Sequence, residues 1–339
     1  MTEVLARGFQ SRGHEVIVLG FPGGMLETRM RGVAPFESVL GGMDFNPVAL
    51  ARVAFVLRRF RPDVVVTLMK KDITLTGVVA RALGIPVVVR HPNQRPLGNN
   101  LYWKKMMGDL PSLHITNAEA TKRTVLESAP FLRAEDILVI YNGIDPAPYE
   151  KATRADLGLF EGEISVGFIG NFEARKGLRE LCVAWRAVSR KITHAHLFLI
   201  GKGSMEAEMR SLLEGSSRVH WMGYRLDIPN ILKSLDAVVL PSYVEGAPNV
   251  VLEAMCASSA VVATAVSGTP ELVRDGIEAR LVPAKNAVLL EDALVEVLSD
   301  ASLRARLTHA GRLRVVEKFG IDRMIDEYER HLYQLIQSK

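Results

Sequence analysis

Two glutamates, Glu245 and Glu253, stand eight residues apart around the stretch Gly246-Ala247-Pro248-Asn249-Val250. Pro248 suits the first position of a helix, where its missing N–H costs nothing. The backbone N–H groups from Gly246 to Val250 are then predicted to point outward. Such a helix start attracts anions, because free donors and the positive end of the helix dipole coincide there. Carboxylates beside an anion site are poor phosphate ligands but good acceptors for the hydroxyls of a ribose or hexose. The pattern describes a ligand with phosphate in its middle and hydroxyls at both ends. A second stretch, GNFEARKG at 170–177, agrees with it. Adjacent cations, Arg175 and Lys176, on a loop after a strand can neutralise a diphosphate. Taken alone the pair reads more readily as a solvated basic turn; beside the two glutamates the diphosphate reading is the stronger.

These loops need a scaffold that ends strands at one edge. Short apolar, β-branched runs lie at 14–19, 63–68, 86–90, 113–116 and 138–141, and again at 165–169, 196–200, 219–222, 237–240, 260–264 and 279–282. Helical periodicity fits between them, in the first half near 2–12, 47–60, 73–83, 99–107 and 117–128. Continuous apolar strands alternating with helices predict parallel sheets covered on both faces, an α/β chain of two doubly wound, Rossmann-like domains. Turn formers and prolines in YNGIDPAP at 141–148 mark the boundary. The expected division is 1–143, 144–318 and a final amphipathic segment, 319–339, that crosses back onto the first domain. A doubly wound domain ordinarily opens strand, glycine-rich turn, helix. This sequence opens on the helix, so the first strand of the N-terminal domain is expected to be missing, and its glycine-rich loop with it.

Composition narrows the class. Hydrophobic residues make up 48% and charged residues 24% of 339, which excludes disordered and fibrous chains. Two cysteines, Cys182 and Cys256, are too few for a disulfide framework or a zinc cluster and fit core thiols in a reducing compartment. No stretch has the ~20 uninterrupted apolar residues of a membrane-spanning helix, and MTEVLARGFQ has no signal-peptide pattern. A cytoplasmic chain is expected. The net charge of +4 is uneven: residues 1–143 hold 18 Lys+Arg against 12 Asp+Glu. That excess predicts attraction to an anionic lipid surface or a phosphorylated partner, or is ordinary solvated surface. Nucleic acid is not expected, since the cations are scattered and no recognition motif accompanies them.

Several stretches together carry a resemblance: SRGHEVIVL near the start, RPDVV at 61–65, YNGID at 141–145, GNFEARKG, IGKGS at 200–204, GYRLDIPNILKSLDAVVLPSYVEGAPNVVLEAM at 223–255 and SGTPELVRDG at 267–276. The chain resembles the retaining glycosyltransferases of family 4, the group 1 glycosyltransferases, over nearly its whole length. The resemblance implies the GT-B fold, two Rossmann-like domains facing a cleft, the first binding an acceptor and the second a nucleotide-diphosphate sugar. The family's E-x7-E motif falls on Glu245 and Glu253. Arg175 and Lys176 match the pair that holds the donor diphosphate, Glu253 the ribose ligand, and Glu245 the residue that holds sugar hydroxyls. Gly170 and Gly246, Ala247, Pro248, Asn249 and Val250 then line the donor, with Tyr224 and Arg225 where the family's loop passes the nucleobase. His91 stands where the family often has a catalytic histidine after a strand. Arg90 and Lys71 are weaker candidates for a phosphate-bearing acceptor. One departure follows the E-x7-E helix, where the family usually has glycine and this chain has Ser258.

The resemblance implies a hexosyltransferase-type enzyme acting with retention, without metal or other cofactor, in cell-surface polysaccharide or glycolipid synthesis. It implies a UDP- or GDP-sugar donor, a carbohydrate or lipid-linked acceptor and a peripheral place at the inner face of a membrane. The catalytic set expected is Arg175, Lys176, Glu245 and His91. Alternatives are a nucleotide-sugar epimerase of the same architecture and a non-catalytic carbohydrate- or partner-binding protein.

Overall fold

A computed structural model describes residues 1–39, 46–68 and 72–338. Lys71 lies outside them. The chain divides into two compact units, Met1–Gly143 with Ile321–Lys339, and Ile144–Gly320. Among the described residues no helix is long and apolar enough to cross a membrane.

In the first unit β1 (Val18–Gly20) pairs in parallel with β2 (Phe36–Ser38). A separate parallel sheet runs β3 (Val65–Thr67), β4 (Val87–His91), β5 (Leu113–Thr116) and β6 (Ile137–Val139) in that order. All five residues of β4 are buried, as befits a strand covered on both faces. Val87 and Val89 share one apolar cluster with Ala49, Val53, Val56 and Leu57 of the helix Pro47–Phe60. That helix is set by its ends. Asn46 Oδ1 accepts from the N–H groups of Val48 and Ala49 at 3.0 and 3.4 Å, Pro47 follows as first residue, and Arg61 closes it at φ 53°. On the other face of β4, Val88 and Ile115 meet Met324, Ile325, Tyr328 and Leu332 of the helix Ile321–Gln337. Those four recur at helical spacing and form its buried stripe. The helix Thr2–Ser11 lies against the same helix, and a Cβ on Gly8 would fall 2.5 Å from Ile325 Cδ1. Glycine there lets the two helices approach without displacing the Ile325 side chain. Two predicted helices differ in detail: Ile73–Gly77 and Lys104–Asp109 are π-helical, so the hydrogen-bond register widens by one residue in each.

The second unit holds one parallel sheet of six described strands: β7 (Ile164–Ile169), β8 (Ala195–Ile200), β9 (Val219–Gly223), β10 (Ala237–Leu240), β11 (Ala260–Thr264) and β12 (Arg280–Val282). Their spatial order is β12-β11-β10-β7-β8-β9. The chain builds outward from β7 to β9, then returns to the far side of β7 for β10. The order reverses between β7 and β10, and ligands of such sheets bind outside the carboxyl ends of the strands at that switch point. Trp185, Phe168, Leu197 and Leu294 belong to the core of this unit. The architecture is α/β with parallel sheets in two Rossmann-like domains.

Candidate functional site

The loops that leave β7 and β10 meet at this switch point. After β7, Ala174–Lys176 form one tight 3-10 turn and Gly177 takes a left-handed conformation, φ 65°, before the helix Leu178–Lys191. Gly177 is there for a second reason: a Cβ would fall 1.9 Å from the carbonyl oxygen of Pro241 after β10. The Tyr243 N–H donates to the Arg175 carbonyl at 2.8 Å, and its hydroxyl donates to Glu180 on the following helix. The two loops are thus tied through backbone as well as side chains.

This contact brings Arg175, Lys176 and Glu245 together. Lys176 Nζ donates to Glu245 Oε1 at 2.6 Å, and Ser242 Oγ donates to the same oxygen at 2.6 Å. Glu245 Oε2 lies 3.8 Å from Arg175 Nη1, beyond hydrogen-bonding distance. Arg175 is instead bonded to Glu173 Oε2 at 2.8 Å and is 43% exposed, against 14% for the Lys176 side chain and 9% for Glu245. The Glu245 N–H donates to Ser267 Oγ at 3.2 Å, and the Gly268 N–H to the Gly246 carbonyl at 3.1 Å, so the SGTP loop after β11 braces the glutamate. Ser242 and Ser267 carried no signal in the sequence beyond lying within the same motif stretches.

Gly246, Ala247 and Pro248 are buried, and Asn249 is exposed. The helix begins at Asn249, with Pro248 as its N-cap and no side chain capping it. That start is one residue later than the sequence predicts, a shift within the ordinary uncertainty of helix ends. Glu253 is one turn into this helix and partly buried, and burial raises its pKa. The carboxylate burial is adverse without a partner that donates hydrogen bonds to it. Gly170 directly follows β7, its N–H donating to the Ile200 carbonyl at 3.0 Å. Tyr224 and Arg225 directly follow β9. Tyr224 is 54% exposed, while Arg225 is held in a fork by Asp227 at 2.8 and 2.6 Å. The donor residues expected from sequence thus all lie in loops or helix turns after strands of the second unit.

His91, the last residue of the expected catalytic set, belongs to the first unit. It ends β4 in the first unit and is buried, with Nε2 2.9 Å from His114 Nδ1. His114 Nε2 is 2.8 Å from the Met107 carbonyl. A carbonyl only accepts, so His114 carries its proton on Nε2 and its Nδ1 accepts from His91. Burial, followed by the neighbouring His114 and Arg90 charges, pushes the His91 pKa down to about 3, and burial pushes His114 down to about 4. His91 is therefore a neutral ring whose Nε2 proton is given to His114, a bond that links β4 to β5. Arg90 is likewise buried, donating to Tyr328 Oη at 2.9 Å and Asn142 Oδ1 at 2.6 Å. It joins β4 to the helix Ile321–Gln337.

Comparison with known proteins follows the same lines. A family model described as Glycosyltransferase Family 4 matches residues 1–148, and one described as Glycosyl transferases group 1 matches 163–300. The chain is 26% identical over 211 residues to the N-acetyl-alpha-D-glucosaminyl L-malate synthase of Bacillus anthracis, covering 60% of this chain but only 55% of that enzyme. It spans little more than half the length of that relative. It is 26% identical to the lipopolysaccharide core biosynthesis glycosyltransferase LpsD of Rhizobium meliloti, over 96% of this chain and 93% of the relative. Among solved structures it is similar to HepE of Anabaena in complex with UDP-glucose, with a TM-score of 0.85 and 19% identity over 98% of this chain and 94% of that one. At that identity the likeness speaks for the fold.

Proposed function

We propose that the chain is a GT-B glycosyltransferase that moves a glycosyl group from a nucleotide-diphosphate sugar to an acceptor hydroxyl with retention of configuration, a reading supported by the two family models and the shared fold. The observation that carries this reading is the cluster of Arg175, Lys176 and Glu245 at the switch point, with Glu245 four residues ahead of the helix start at Asn249, which no side chain caps. In the proposed complex Arg175, Lys176 and that helix start hold the diphosphate. Glu253 accepts hydrogen bonds from the ribose, which relieves its adverse burial. Glu245 uses Oε2 for hydroxyls of the sugar, since Oε1 is committed to Lys176 and Ser242.

The bond from the anomeric carbon to the diphosphate oxygen breaks while the acceptor oxygen approaches from the same face. The leaving diphosphate takes the acceptor proton, and the two cations stabilise the charge that develops on it. These cations supply what a divalent ion would supply, so we read the enzyme as metal-independent. A UDP- or GDP-sugar is the proposed donor, supported by the UDP-glucose bound to the similar HepE fold. The proposed acceptor is a carbohydrate or lipid-linked glycan of cell-surface polysaccharide or glycolipid synthesis, supported by the lipopolysaccharide role of LpsD. We place the protein in the cytoplasm, peripheral on an anionic membrane surface.

The test is calorimetric titration of UDP and GDP into the full chain with and without EDTA, and NMR assignment of the anomeric configuration of any product. Nucleotide binding that survives EDTA and a product with the donor's configuration are expected. Binding abolished by chelation would overturn the metal-free reading, and an inverted product the front-face course.

A further inference from the structure

The basic excess of the first unit is local. Residues 45–108 contain 11 Lys+Arg and only 2 Asp+Glu, whereas the flanking parts of residues 1–143 contain more acids than bases. Eight of those cations are described and exposed: Arg52, Arg58, Arg59, Arg61, Arg81, Arg95, Lys104 and Lys105. None of the eight forms an ion pair among the described residues. Elsewhere exposed arginines are commonly paired, as Arg133 with Glu135 and Asp136, Arg210 with Glu206, and Arg323 with Glu327.

The elements that carry six of these cations share one side of the sheet, and Arg61 closes the first of them. Ala49, Val53, Val56 and Leu57 of the helix Pro47–Phe60, Ala80 of the helix Val78–Ala82 and Met106 and Met107 of Lys104–Asp109 belong to a single apolar cluster over Val87 and Val89. With those side chains buried, the outer surfaces of the three elements form one layer. On the helix Pro47–Phe60 the outward stripe is Val48, Ala51, Arg52, Phe55, Arg58 and Arg59, spaced as one helical face. Val48 is 63% and Phe55 65% exposed, and Leu101, three residues before Lys104, is 69% exposed. Water gives no reason to present Phe55 and Leu101 outward between unpaired cations. An interface gives one: apolar side chains enter the acyl boundary while arginines beside them meet anionic headgroups.

We propose that this layer of the first unit, centred on the outward stripe of Pro47–Phe60 and continued by Leu101, Lys104 and Lys105, docks on an anionic lipid bilayer. The charge complementarity, exposed cations with no acidic partner in ion-pair reach among the described residues, selects the occupant. The inference deepens the peripheral-membrane reading above and rests on it. It requires nothing of the donor site in the second unit, so the two can fail separately.

The experiment is co-sedimentation of the full chain with vesicles of phosphatidylcholine alone and of phosphatidylcholine with 30% phosphatidylglycerol, at rising salt. UDP titration of every variant runs alongside. Binding to the anionic vesicles only, weakening as salt rises, is expected. Phe55→Ser and the pair Arg52→Glu/Arg59→Glu, all at exposed positions, should each reduce it about tenfold or more while UDP binding stays unchanged. The charge-matched pair Arg186→Glu/Arg190→Glu, on an exposed face of the second unit, should leave vesicle binding within twofold. The proposal is overturned if wild type ignores anionic vesicles at low salt. It is also overturned if neutral vesicles bind equally well, or if the control pair matters as much as the face variants. A concentration-dependent dimer that Phe55→Ser abolishes, without vesicle binding, would instead make the face a contact between two copies and likewise overturn it. Loss of UDP binding by wild type would count against the transferase reading and leave the docking result standing.

Discussion

Glu245 and Glu253 flank the same helix start in different settings. Glu245 is fixed by a cation and a buried hydroxyl, Lys176 and Ser242. Glu253 is burdened by desolvation, which raises its pKa. Glutamine is the informative replacement at both, because it keeps the shape and an acceptor oxygen. Glu253→Gln should weaken UDP and UDP-glucose alike, by about 1.5–3 kcal/mol or roughly ten- to a hundredfold, as the loss of a hydrogen bond to a charged group. Glu245→Gln should spare free UDP and weaken UDP-glucose by about tenfold or more. Equal weakening of free UDP by both would sink the assignment of sugar and ribose ends. The ligand-free stability of Glu253→Gln tests the burial argument separately. A carboxyl whose folded pKa is raised binds its proton more readily folded than unfolded, so stability is lost as pH rises through the folded value. The variant should therefore unfold at higher temperature than wild type at pH 8, and the difference should shrink as pH falls into the carboxylate range. At this scale motif spacing in the sequence singled out these residues. It could not show that Lys176 and Glu245, 69 residues apart, would be bonded, nor that His91 would find His114, because strand register brings both pairs together and register is not written locally.

Two glycine-type positions decide how the elements carry the site, and they make opposite predictions. Gly177 is left-handed and pressed against Pro241, so Gly177→Ala should cost about 1–3 kcal/mol and displace Arg175 and Lys176, lowering UDP affinity as well as the unfolding temperature. Ser258 closes the helix Asn249–Ala257 at φ 62°, the position where the resemblance led one to expect glycine. The left-handed cost to a residue with Cβ, about 1–2 kcal/mol, is only partly offset by the extra freedom glycine has when unfolded. Ser258→Gly should then stabilise the chain by about 0.5–1 kcal/mol without changing UDP affinity. Denaturant titration of both variants checks this, and a destabilised Ser258→Gly would mean the serine hydroxyl does something the backbone angle hides. Most strands were legible, and β5, β10 and β11 agree with their apolar runs residue for residue. The misses have physical causes. β2, Phe36–Ser38, is three residues of partly buried mixed chemistry with no alternation to read. The π-helical turns keep helical periodicity in outline while shifting the bonding by one residue, which composition does not report.

Across the whole molecule the proposed roles are divided between the two units: the proposed nucleotide site lies within Ile144–Gly320, and the basic layer, unpaired among the described residues, within Met1–Gly143. The charge asymmetry between the halves was visible in the sequence. That most of its exposed, described cations fall on one helical layer was not, because that depends on which side chains pack over Val87 and Val89. Two ligands should accordingly leave two separate footprints in amide hydrogen exchange. UDP at about 100 times its Kd contributes about 2.7 kcal/mol to the state that binds it, so amides of 170–177 and 242–253 should slow in its presence, with EDTA making no difference. Anionic vesicles should slow amides of 47–60 and 101–105 and leave 170–177 unchanged. Slow exchange with UDP confined to the first unit would refute the placement of the diphosphate at Arg175 and Lys176. Equal protection by vesicles of the helix Leu178–Lys191 would refute the basic layer as the docking face, since that helix has exposed arginines of its own but belongs to the other unit. A simultaneous pattern, with UDP and vesicles protecting their own segments additively, is what a donor site and a docking face on separate units must produce.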